Sequence, residues 1–282
     1  MRGGLSPRGY TIVEVMIFLA VSGFMFIIAA AFVSGKQSIA EFRQGMNEIN
    51  TQVQQAINDV GNGFYPSGAG FACSANASGL TINGGGGSVQ GANQGCVFLG
   101  KVIQFGLGGD GTRYAVYTVA GSQFANGAAS GNPPASFAEA LPTAVDDSNG
   151  GAVTNINLTQ TSTLQWGLKA TKMTDNGANV SAIGFMSSFA GQAAGSLASG
   201  SQAINAVTIP SPAVGAGDSE GAMVSKINGG VKDANVQAHP NILICFDGGA
   251  GQFGSLTIGG SGGNQRLATS VQITGSSPPA GC

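Results

Sequence analysis

Charge is what this sequence has least of. Charged residues make up 9% of the chain, 11 Lys and Arg against 13 Asp and Glu, for a formal net charge of −2. Soluble domains carry about a quarter of their residues as charges, so hydroxyls, amides and bare backbone must solvate much of this surface. The basic residues are scattered singly, and with no basic stripe a general nucleic-acid binder is disfavoured. The candidate for a local basic patch is Lys169, Lys172, Lys226 and Lys232.

Histidine is nearly absent. One histidine, His239, and four cysteines without a CxxC spacing leave poor material for zinc, and neither a metal nor a cofactor is expected. GGSGG at 259–263 matches G-x-S-x-G, but His239 precedes Ser261 and no helix follows, so neither triad order nor nucleophile-elbow geometry is met. GLGGDG at 106–111 matches the dinucleotide fingerprint. TRYAVYTVA after it reads as a strand where a helix is required, so Asp110-Gly111 is expected in a hairpin turn. Asp146 to Gly150 and Asp175-Asn176-Gly177 offer oxygens to calcium, yet neither has EF-hand spacing and turn chemistry explains both. No constellation for an enzyme emerges. Trp166, the only tryptophan, is expected in a strand core with Leu164 and Leu168 at period two.

Glycine is abundant, at 48 residues. It costs a helix roughly 1 kcal/mol per position and suits a β-rich domain with many turns. After Gly63 the chain alternates short β-type runs with Gly, Asn and Ser. Strands are expected at 96–105, 112–120, 163–170, 179–187, 203–209, 241–247, 253–258 and 266–274, forming an antiparallel sheet. The Ala, Gly and Ser stretches 121–152 and 187–202 are expected to be surface loops or insertions.

The cysteines are Cys73, Cys96, Cys245 and Cys282. An even count behind an N-terminal hydrophobic segment reads as two disulfides formed outside the cytoplasm. Three pairings are possible. The sequential one, Cys73–Cys96 and Cys245–Cys282, closes the two shortest loops and is the expectation; each bridge stabilises by roughly 3–4 kcal/mol in the chain-entropy model.

Val15 to Val33 is 19 residues without a charge, about 28 Å as a helix, enough to cross a hydrocarbon core. Arg2 and Arg8 precede it and Lys36 follows, which weakly favours a cytoplasmic N-terminus. A cleaved signal peptide would use Ala29-Ala30-Ala31 as its processing site, and a plain anchor would keep the run uncut. The pattern continues past Val33, however. Ile39, Phe42, Met46, Ile49, Val53, Ala56 and Val60 form one narrow apolar stripe at helical spacing, ended by Gly61-Asn62-Gly63. Tyr10 to Val60 is therefore expected as one helix of 51 residues, with Val53, Ala56 and Val60 as its contacts to the sheet. A cleaved signal peptide has no reason to run in phase into such a helix.

The stretch Gly9-Tyr10-Thr11-Ile12-Val13-Glu14-Val15-Met16, behind a short basic leader, resembles the N-terminus of type IV pilins and type II secretion pseudopilins. The resemblance implies cleavage by a prepilin peptidase after Gly9, N-methylation of the new first residue Tyr10, and a signature glutamate at Glu14. Thr11, Val15, Met16 and Gly23 fit the same pattern. Ala31 stands where many major pilins carry proline, a departure more usual in pseudopilins and minor pilins. Toward the C-terminus, ICFDGG, FGSLTIGG, QRLATSVQIT and the final Gly281-Cys282 resemble the sheet of minor pilins and GspH/FimT-type pseudopilins. Together these imply an α+β fold, a long N-terminal helix packed on an antiparallel sheet. The implied organisation is a leader at 1–9, a membrane and assembly helix at 10–60, and a β-rich extracytoplasmic domain at 61–282. The implied partners are the prepilin peptidase, other pilin subunits and, before assembly, the cytoplasmic membrane, crossed once with the N-terminus inside. The assembled destination would be a pilus at the cell surface or a periplasmic pseudopilus. Removing the leader leaves 273 residues, large for a pilin, which favours a minor or adhesive subunit. A tip adhesin or DNA-binding module is the alternative from another class.

Physically, cleavage at Gly9 creates an amine on Tyr10 one helical turn from Glu14. An unpaired carboxylate in an apolar bundle costs several kcal/mol, so pairing with that amine sets the tolerated axial offset between helices.

Overall fold

The computed structural model describes residues 10–63, 71–76, 79–84, 96–145, 159–187, 204–210, 214–231, 236–237, 241–249, 251–259, 267–275 and 277–282. Its first element, α1 (Ile12–Gly61), runs 50 residues without a break. Thr11 caps its N-terminus, and at the far end the Asn62 N–H closes on Asn58 O at 2.9 Å. One face of its second half is buried: Phe42, Met46, Ile49, Val53, Ala56 and Val60. Ile39, the first residue of the expected stripe, is exposed, and apolar burial against the body starts at Phe42 and involves more of the helix than Val53, Ala56 and Val60.

The strands are β1 (Phe71–Asn76), β2 (Gly79–Gly84), β3 (Cys96–Phe105), β4 (Arg113–Ser122), β5 (Thr143–Ala144), β6 (Gln160–Thr163) and β7 (Lys169–Asp175). They continue as β8 (Ala178–Ser187), β9 (Ile204–Pro210), β10 (Val236–Gln237), β11 (Asn241–Asp247), β12 (Phe253–Gly259) and β13 (Ala268–Thr274). β1 and β2 pair only with each other. The others form one antiparallel sheet ordered β13-β12-β11-β7-β8-β3-β4-β5, with β6 also on β4, β9 on β8 and β10 on β9. Asn176-Gly177 joins β7 to β8 with φ of 49° and 86°, the positive values a two-residue hairpin turn demands. β7 and β8 pair only at the two residue pairs beside that turn. Beyond them β7 goes to β11 and β8 to β3 and β9, so the sheet opens into two blades hinged at Asp175.

Alternation along the strands builds two cores. Ile103, Phe105, Ile183, Phe185, Ile242, Ile244 and Phe246 join the buried stripe of α1. Their neighbours Val102, Ala182 and Met186 face the other way, onto α2 (Phe137–Ala140) and α3 (Glu220–Gly230) through Phe137, Met223, Val224 and Ile227. The result is helix, sheet, helix. Two glycines make the first contact possible. A Cβ on Gly248 would stand 2.1 Å from Phe42 Cδ2, and one on Gly254 3.0 Å from Met46 Cε.

Three expectations are corrected here. Residues 163–170 are not a strand: β6 ends at Thr163, Gln165 to Leu168 turn, and β7 begins at Lys169. Leu164 and Leu168 are buried, but Trp166 sits in the turn, 46% exposed. The stretch 121–152 is not all surface loop, since Phe137, Ala140, Ala144 and Val145 are core residues; 146–152 lie outside the described residues. An unforeseen helix, α3, starts at Ser219, whose side chain accepts from Ala222 N. The stretch 188–202 lies outside the described residues.

Candidate membrane and assembly segment

Among the described residues, nothing covers Ile12–Ala30 of α1. Ile12–Ala30, 19 residues of mean hydropathy 2.5, has none of its residues buried. Every large apolar side chain from Ile12 to Ile28 is exposed. Each is worth roughly 1.5–3 kcal/mol on leaving water, so the segment demands lipid or other helices around it. By length and composition it is able to cross a bilayer.

Tyr10 precedes the helix, 80% exposed, and Gly9 lies outside the described residues. Thr11 is the N-cap: its Oγ1 accepts from Glu14 N at 3.3 Å and its carbonyl accepts from Glu14 N and Val15 N. Thr11-Ile12-Val13-Glu14 is thus the T-x-x-E pattern of a capping box, a helix-start signal the sequence reading passed over. Only the threonine half of the box is made. The Glu14 carboxylate is exposed and, among the described residues, has no hydrogen bond or ion pair. Its charge stands at the positive end of the helix dipole, and its surroundings are otherwise apolar.

The second half of α1 is locked to the sheet by polar ties as well as by its stripe. Gln252 Nε2 donates to Ser38 Oγ at 3.0 Å, Gln54 Nε2 to Thr269 Oγ1 at 2.9 Å, and Lys101 pairs with Asp59. Lys101 and Asp59 are far apart in sequence, and nothing in either local stretch announces the pair.

Cys245 and Cys282 are bonded, with Cα atoms 5.6 Å apart. Cys245 lies on the face of β11 opposite Ile244 and Phe246, so the bridge pins the C-terminal turn over the face remote from α1. Lys172 Nζ, donating to Gly281 O at 2.8 Å, holds the same turn. Cys96 is also disulfide-bonded; the Cys73 side chain lies outside the described residues, and with it the expected Cys73–Cys96 pairing.

Other marked residues fall as follows. Asp110 accepts from the backbone and hydroxyl of Thr112 in the β3–β4 connection; these bonds hold its carboxyl below the usual carboxylate range. A strand follows GLGGDG, as expected, so no helix N-terminus faces a phosphate there. Asp175 accepts from Asn176 Nδ2 and Thr208 Oγ1 beside its hairpin turn. Among the described residues no three metal-ligating side chains cluster. Lys226 pairs with Asp218 at 2.7 Å, while Lys169 and Lys172 sit on β7. Lys232, His239, Ser261 and Asp146 to Gly150 lie outside the described residues.

These features define a class: an α+β protein whose N-terminal helix is bare and apolar over its first half and keyed to a large antiparallel sheet over its second. No family model, curated protein or solved structure matches the chain.

Proposed function

We propose that the chain is the precursor of a type IV pilin-like structural subunit, cut after Gly9 and assembled through α1 into a pilus or pseudopilus. The observation that carries this reading is the division of one unbroken helix. Its second half belongs to the β-body, while Ile12–Ala30 belongs to an environment the chain does not itself supply. A signal peptide has no need of that continuity. Lipid covers the segment before assembly, and the same segments of neighbouring subunits cover it afterwards. The polar start of the helix supports the reading further: among the described residues the Glu14 carboxylate has no partner, and it stands one turn from Tyr10, ready for an amine released by processing. Within this class a minor pilin or a minor pseudopilin of a secretion or competence system fits the size and Ala31.

Sequencing the mature N-terminus tests processing: Tyr10 is expected, and Phe32 would mean an ordinary signal peptide. Glu14→Val is expected to be cut normally yet absent from fibres; normal incorporation would remove the role assigned to the carboxylate.

A further inference from the structure

We infer that the indole of Trp166, flanked by Glu41 and Glu48, is the receiving half of a contact between subunits, and that its occupant is the Arg43 flank of α1 in a second copy. This rests on the assembly reading above and names the surfaces that meet. Trp166-Gly167 is a tight turn closed by Leu168 N on Gln165 O at 3.2 Å, with φ of 61° and 71° at its two central residues. Among the described residues, other tight turns with positive φ at both central positions use Gly108-Gly109, Asn126-Gly127 and Asn176-Gly177, the ordinary solutions. A bulky residue in the left-handed region is strained, so turn geometry gives no reason for tryptophan. The core gives none either, since the residue lies at its edge, 46% exposed.

The indole lies on α1 at Gly45, where an added Cβ would touch Trp166 Cδ1 at 3.6 Å. Glu41 and Glu48, one turn before and one turn after Gly45, share that flank. At about 100° per residue, both stand roughly 100–120° to one side of the buried stripe's centre. Arg43 stands about 100° to the other side, with Lys36 close to it. The charges on this half of the helix are thus sorted, carboxylates on one flank and cations on the other, with the sheet between them. Arg43 and Glu48 are exposed and make no ion pair or hydrogen bond among the described residues. No single chain can bring these flanks together, because its own body separates them; two copies side by side can. A guanidinium placed over the exposed indole between two carboxylates gains both cation–π and ionic attraction. Because the two halves are different surfaces, the contact is head-to-tail and leaves each copy free to take a further one, as a fibre requires.

Charge reversal in the full-length chain, held in detergent micelles with oligomers trapped by brief cross-linking, tests this. Arg43→Glu and Glu48→Arg are each expected to lower the trapped oligomer roughly tenfold, since like charges then meet across the contact. The double variant restores it in part, recovering the attraction between the exchanged charges without the cation–π component, and Trp166 emission, the chain's only tryptophan signal, shifts to shorter wavelength only in the chains that associate. Melting by circular dichroism is expected to be equal for all four chains, which separates lost association from lost folding. Single reversals that associate like the parent, or a double reversal no better than the worse single, overturn the contact. Parent oligomers indifferent to reversal, together with a Tyr10 N-terminus, remove this contact and leave the assembly reading standing. A parent chain that never self-associates and starts at Phe32 removes both.

Discussion

At Glu14 the backbone and the side chain have separate occupations. The N–H closes the first turn on Thr11, while the carboxylate is left to whatever surrounds the helix. That separation is why Glu14→Val can spare the helix and still remove the charge. Tyr114 shows the opposite case, a polar group committed to the interior. It packs against Phe105 with ring centroids 6.0 Å apart, and burial pushes its phenol above the ordinary tyrosine value. A hydrogen bond with Ser162 works against that rise and the Glu48 charge adds to it. The folded state therefore holds the proton more tightly than the unfolded chain. The corresponding stability is fully present below about pH 10 and is lost as pH rises through the higher folded value. Melting temperatures followed from neutral to alkaline pH are expected to fall less steeply for Tyr114→Phe than for the parent; equal slopes would show that Tyr114 does not couple folding to pH.

The element that matters most, α1, has two halves under different rules. Met46 is fully buried between the strands and Gly254, so Met46→Ala is expected to destabilise the body by roughly 2–5 kcal/mol. Ile17→Ala, in the bare half, is expected to leave unfolding of the body unchanged. Trp166 fluorescence during denaturant unfolding measures both, because the indole rests on the helix beside Met46. The buried half was legible in the sequence, since Phe42 to Val60 repeats at helical spacing and helical burial has no other period. Strands such as 96–105 and 241–247 were legible for the same reason, being apolar runs bounded by turn residues. The segment 163–170 was not. Leu164, Trp166 and Leu168 alternate like a strand, and only the positive φ at Trp166 and Gly167 breaks the run. Helix α3 was hidden by its glycines, which weaken a helical signal, although Ser219 caps it and Met223, Val224 and Ile227 carry its buried face.

On the scale of the whole molecule, the body's core begins at Phe42, and among the described side chains before it on α1 none is buried. A chain starting at Lys36 is therefore expected to fold with the same β-rich circular dichroism and to stay in solution without detergent. The full chain should need detergent or lipid. A truncated chain that unfolds would show that Ile12–Ala30 contributes to the body after all. The same division separates two kinds of evidence for function. The candidate assembly segment was readable from local composition: an apolar run long enough for a bilayer, opened by Thr11 and Glu14, needs no long-range information. The placement of Trp166 was not, because it joins residue 166 to helix position 45.

The sequence by itself determined the long helix, its apolar first half, its buried stripe and the β-rich character of the rest. These follow from periodicity and composition within windows of a few turns. Only the tertiary structure decided that the sheet divides into two blades at Asn176-Gly177, that Lys101 clamps Asp59, and that the C-terminal turn is pinned over the far face by Cys245–Cys282. It also decided that the one tryptophan lies outside the core. Each of these depends on which distant segments meet, and that is set by the mutual burial of faces rather than by any local pattern.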